Sequence, residues 1–127
     1  MSQVEARVQA IQALYAADAN DGAPDTSDLS ARAGRLVSGV WEHRAEIDGI
    51  ISRVATGWRV ERMPLVDRNV LRLGVYELLY TDTPVGVVVS EAVEIAKEYS
   101  TAKSGAFVNG VLGKLADVQR ETGSIPK

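Results

Sequence analysis

The chain contains no cysteine and a single histidine, His43. Disulfides, thiolate catalysis and cysteine-based metal sites are therefore excluded. A histidine-centred metal site would need several carboxylates converging on His43. Glu42 and Glu46 are near in sequence, but charged residues around a helix junction are ordinarily just solvated. Aromatic residues make up only 6%. No apolar run approaches the roughly 20 residues that span a bilayer. The first residues, Met1 to Glu5, lack the basic and apolar regions of a secretory signal. Positive charge is also short, with a net charge of -3. A protein that holds nucleic acid by bulk electrostatics is expected to be basic, so any such role here needs a local patch or a basic partner. Gly-rich phosphate loops and dinucleotide fingerprints are missing. Ser90 and Ser104 have no nucleophile-elbow context, and no acid and base are paired as for a catalytic cleft.

What is present is helical periodicity in an ordinary globular mix, 46% apolar and 24% charged over 127 residues. That length suits one domain. Val4, Val8, Ile11 and Tyr15 form one stripe, and alanines add propensity, predicting a first helix over 3–19. Tyr15 at such a stripe edge also reads as a packing residue. Residues 18–28, DANDGAPDTSD, hold four Asp, a Gly, a Pro and no basic residue. They read as an acidic loop, too negative to touch a phosphate backbone. Thr26 or Ser27 is expected to cap a second helix reaching Glu42. Ile47, Ile50, Ile51 and Val54 mark a third over 44–57, ended by Gly57. Pro64 opens a fourth that continues to Tyr80. That helix is apolar around most of its circumference, as a central helix is. Val85 to Val89 favour a strand by propensity, but Val85, Val88, Ala92 and Ile95 share a helical stripe, which predicts a fifth helix. Asn109-Gly110 could signal a hairpin, yet Phe107, Val108, Val111, Leu112, Leu115 and Val118 give a last helix over 102–120. A polar tail, 121–127, follows. The reading is an all-α bundle of about six helices in one domain, 1–127.

Three blocks carry a family pattern. They are ARVQAIQALY from Ala6, VDRNVLRLGVYEL from Val66, and SEAVEIAK from Ser90 followed by SGAFVNGVL from Ser104. In this order and spacing the chain resembles the NusB family of bacterial transcription antitermination factors, over about Ala6 to Tyr15 and Val37 to Leu115. The resemblance implies an all-α fold of two packed helical sub-bundles, no catalysis, no cofactor, no membrane and a cytoplasmic location. It implies pairing with NusE, a small-subunit ribosomal protein, on the boxA element of ribosomal RNA leader transcripts. The pair would act within the RNA polymerase antitermination complex. Carried over by motif, RNA contacts fall on Arg7, Gln12 and Tyr15, and on Lys103, Ser104 and Phe107. Partner contacts fall on Asp67, with Arg68 and Glu77 on the same helix. Physical chemistry agrees in kind. Single-stranded RNA is read by aromatic stacking and polar contacts, and a helix N-terminus attracts phosphate. Each assignment has a plainer competitor. FVNGVL is also a packing stripe, Asp67 suits the first turn of its helix by dipole, and Asn109 reads as a bond to buried backbone.

The chain departs from the family pattern in three places. The usual Arg-rich arm is replaced by Ser2 to Glu5, leaving Arg7 as its surviving cation. Lys103 stands where an acidic residue is usual, and a cation there favours RNA. The segment between the first helix and Leu36 is shorter by roughly one helix. Two other readings follow. One is a protein–protein module or homodimer with weakened RNA recognition, suggested by the acidic balance and depleted arm. The other is an accessory domain of an RNA methyltransferase, disfavoured because the chain ends at Lys127.

Overall fold

A computed structural model describes residues 2–122. It contains six α-helices and one 3-10 turn, with no strand among the described residues: α1 (Gln3–Ala19), α2 (Ala31–Glu42), α3 (Arg44–Val54), the 3-10 turn (Val60–Arg62), α4 (Leu65–Tyr80), α5 (Val85–Tyr99) and α6 (Ala102–Thr122). The all-α expectation holds. α1 and α2 pack on each other and on α4, and α5 and α6 pack on each other and on α4. The central helix anticipated from its apolar circumference is thus α4. One continuous core joins both halves, including Leu14, Val40, Ile51, Leu71, Leu112 and Leu115.

Local chemistry sets the helix ends, and several differ from expectation. α1 is capped by Ser2, whose Oγ accepts from Glu5 N at 3.1 Å. Its buried face is Ala6, Ala10, Leu14 and Ala17, with Ile11, while Val4 and Tyr15 are exposed. Of the predicted stripe only Ile11 is buried, and Val4, Val8 and Tyr15 lie towards the helix edge. Small alanines face inward because they let neighbouring helices approach closely. α2 is capped by Ser30, which accepts from Ala33 N at 3.1 Å, rather than by Thr26 or Ser27. Ser27 is held instead by Asp25, through its N–H at 2.9 Å and its hydroxyl at 2.7 Å. That local turn competes with helix formation. Residues 20–30 carry no helix.

α3 stops at Val54, three residues before Gly57. Gly57 instead takes φ 84° in a turn closed by Trp58 N donating to Ala55 O at 3.0 Å. Positive φ at that position is what glycine permits. The valines of α5 are helical, since Val88, Ala92, Ile95 and Ala96 reach the core together. Packing overrides their strand propensity. In α6, Val108, Val111, Leu112 and Leu115 are buried. Asn109 is exposed, which corrects its expected role toward buried backbone. Glu121 and Thr122 still belong to α6; the rest of the anticipated tail, 123–127, lies outside the described residues.

One ion pair crosses the interior. Arg7 on α1 donates through Nε and Nη2 to both carboxylate oxygens of Glu77 on α4, each at 2.9 Å. The two residues are only 5% and 4% exposed. Hydrogen bonding to Glu77 raises the Arg7 pKa above its ordinary value against the opposing effect of burial. Removing one member leaves an uncompensated buried charge, which costs about 3–5 kcal/mol. Glu77→Ala should lose about that much in urea unfolding. The double variant Arg7→Met, Glu77→Leu should lose less than Glu77→Ala alone.

Candidate nucleic-acid interface

The start of α6 is built from hydroxyls. Thr101 caps it, its Oγ1 accepting from Ser104 N at 3.0 Å. Ser104 is buried and donates through Oγ to Asp67 Oδ2 at 2.9 Å. With that proton committed, Ser104 Oγ accepts from Ser100 at 2.9 Å and Thr101 at 3.1 Å. Asp67, 4% exposed, thus sits at the N-terminus of α6 as well as in the first turn of α4. Both helix dipoles favour its charge. Its second oxygen, Oδ1, has no hydrogen-bond partner among the described residues. Beside this buried group Lys103 is exposed and makes no ion pair among the described residues.

Gln12 and Tyr15 are exposed on α1. They border an apolar groove of about 230 Å³, completed by Val8, Ile11, Val66, Ile95 and Tyr99. Val66 immediately precedes Asp67. The first turn of α4 therefore joins the groove to the start of α6, and Gln12, Tyr15, Lys103 and Ser104 gather around it. Phe107 lies one turn further along α6, half-buried. It packs against the core and against Trp58, with ring centroids 5.2 Å apart and planes at 59°.

The structure places the remaining sequence-derived residues elsewhere. Arg7, expected as the surviving cation for RNA, is buried with its guanidinium committed to Glu77. Glu77, expected at a partner surface, is the other half of that pair. Neither presents a free charge to solvent, because each neutralises the other inside the bundle. Arg68 is half-buried and bound to Asp18. Arg72 reaches the same Asp18 at 3.1 Å and grips Asp48 at 2.8 Å and 2.9 Å. Asn69, fully buried, donates to Asp18 at 3.0 Å and accepts from Arg72 at 3.1 Å. Asp18 thus belongs to the last turn of α1 and binds cations of its own chain, whereas the sequence placed it in the acidic loop.

Two aromatic residues escaped the sequence reading. Tyr99 ends α5 and lines the same groove as Tyr15. Trp58 is 61% exposed, more than any other large hydrophobic residue described. The signal for Trp58 was available: an aromatic directly after a turn glycine, followed by Arg59 and Arg62.

Fold and face together define an all-helical bundle with a mixed aromatic, polar and cationic surface. A family model described as the NusB family matches residues 4–117, and the chain belongs to that family. A relative from Anaeromyxobacter dehalogenans, named transcription antitermination protein NusB, is 48% identical over 90% of this chain and 89% of its own. Among solved structures, T. maritima NusB is similar with a TM-score of 0.82 and 35% identity, covering 92% of each chain. A structure of the antitermination factors NusB and NusE in complex with double-stranded RNA gives 0.79 and 32% identity, covering 93% of this chain and 99% of that one. No helix among the described residues is long and apolar enough to cross a membrane.

The Asp18 cluster makes stability depend on pH. Burial pushes the Asp18 carboxyl up, but hydrogen bonds from Arg68 and Asn69 and the charges of Arg72 and Arg68 outweigh it, leaving the pKa below its ordinary 3.8. A carboxylate depressed on folding adds stability that is present above its unfolded value and lost as pH falls through the folded one. Asp18→Asn should therefore destabilise by about 1–3 kcal/mol at pH 7. Denaturant unfolding at a series of pH values should show the gap to wild type unchanged down to about pH 5 and narrowing below pH 4.

Proposed function

We propose that this chain is an RNA-binding transcription antitermination factor. It pairs with NusE on the boxA element of nascent ribosomal RNA leaders, and it works in the cytoplasm without catalysing a reaction. The observation that carries this reading is family membership joined to the likeness, across 93% of the chain, to the solved assembly of NusB, NusE and RNA. In this reading Gln12, Tyr15, Lys103 and Phe107 form the RNA face, whereas Ser104, expected to contact RNA, is buried beneath it with its hydroxyl committed inside the fold. Tyr15 and Phe107 offer rings for base stacking, and Gln12 offers an amide for base edges. Lys103 and the N-terminus of α6 attract phosphate. Ser104 positions that terminus through Asp67. Asp67, expected at a partner surface, is buried with its Oδ1 enclosed, so it holds the start of α6 rather than offering NusE an acceptor. Arg7, Arg68 and Glu77 support the face from within rather than contacting ligand.

With Arg7 committed to Glu77, Lys103 is the one exposed cation among the residues assigned to this face. Affinity then leans on the partner, and each phosphate contact weighs heavily in the salt dependence. A gel shift with boxA RNA, with and without NusE at two salt concentrations, tests the reading. Binding should be weak alone and strengthened by NusE. Absence of any shift with NusE present at low salt would sink it. Lys103→Glu should weaken RNA binding and flatten the plot of log affinity against log salt by about 0.7 for one phosphate contact to a single strand, with the melting temperature unchanged.

A further inference from the structure

We propose that Trp58 and Phe107 form a base-stacking platform that carries the RNA face beyond the start of α6, onto the turn between α3 and the 3-10 turn. The inference rests on the RNA-binding reading and adds a residue to it. Trp58 is 61% exposed. Its backbone is nevertheless held in place by the Ala55 carbonyl and by the positive φ of Gly57. Its ring leans on Phe107 at a tilt of 59°, so the two rings brace each other while much of the indole stays open to solvent. An aromatic side chain held in this way loses little freedom when a base stacks on it.

The surroundings select the kind of ligand. Arg59 and Arg62 follow Trp58 in sequence, Arg53 closes α3, and all three are exposed. From α6, exposed Lys114 reaches Thr56 Oγ1 at 3.5 Å. The one acid among these neighbours is Glu61, paired with Arg59 at 2.7 Å. In a chain of net charge -3 this segment therefore carries a local positive excess. An aromatic ring among cations is the arrangement that holds single-stranded nucleic acid, with rings for bases and cations for phosphates. A protein partner docking here would be expected to meet a wider apolar surface than one indole. Continuity with Phe107 joins the platform to the face already described.

The test uses the whole chain with NusE and boxA RNA. Trp58→Ala should weaken RNA binding by about tenfold, as loss of one stacked base does, while Trp58→Phe should stay within about threefold because it keeps a ring. Both variants should melt with wild type. The chain has two tryptophans, so a Trp41→Phe chain reports on Trp58 alone, and its emission should be quenched when RNA binds. If Trp58→Ala binds RNA like wild type while Lys103→Glu is weakened, the platform is wrong and the RNA reading stands. If wild type binds no RNA with NusE, both fall. If Trp58→Ala loses affinity for NusE in the absence of RNA, Trp58 is a protein contact and the stacking proposal is overturned.

Discussion

Every charged side chain that α4 carries into the bundle has to find a partner there, because the other helices enclose α4. A buried charge left alone costs far more than an exposed pair gains. The structure meets this constraint in three places along one helix. Asp67 takes the hydroxyl of Ser104 from α6. Arg68, Asn69 and Arg72 converge on Asp18 at the end of α1, and Arg72 adds Asp48 from α3. Glu77 takes both arms of the Arg7 guanidinium. These bonds are directional where the surrounding apolar contacts are not. They select one register of α1, α3 and α6 against α4, and with it the placement of the surface that those helices share.

The same pairing governs what remains outside. Arg7, Arg68 and Arg72 are engaged by carboxylates of the chain itself, so they add little to the external field. An acidic protein arranged this way gains little from long-range steering of RNA. In the reading proposed above it relies on a few exposed groups: Lys103 beside the N-terminus of α6, rings at Tyr15 and Phe107, and the cationic segment around Trp58. Such a design makes RNA recognition local, and it gives a protein partner a natural part in raising affinity. Asp67 belongs to the buried side of this arrangement. One oxygen holds the start of α6 in position, and the other faces no protein donor among the described residues.

Close packing contributes in a similar way. A Cβ on Gly39 would fall 2.2 Å from the Tyr76 ring, so the ring can lie against α2 in this position because glycine stands there. Tyr76 then stacks toward Tyr80 and His43 along the same edge, at 5.5 Å and 6.4 Å between centroids. The single histidine is accordingly part of an aromatic ladder.

The amino-acid sequence by itself determined the helical class, the central position of α4, the helical state of the Val85–Val89 segment and the family. Each of these rests on periodicity or on motif order, which are properties of the linear chain. It also marked Gln12, Tyr15, Lys103 and Phe107, whose exposure or partial exposure agrees with a surface role. Only the tertiary structure decided which charges are free. Arg7 looks in the sequence like the last cation of a binding arm, and Glu77 like a surface acid. The two are seventy positions apart, and no local pattern announces that they neutralise each other. The cap at Ser30, the inward alanines of α1, the capture of Asp18 and the exposed perch of Trp58 have the same origin. Each depends on what another element brings to that place in space, and burial and electrostatic pairing are set by distance through the fold rather than along the chain.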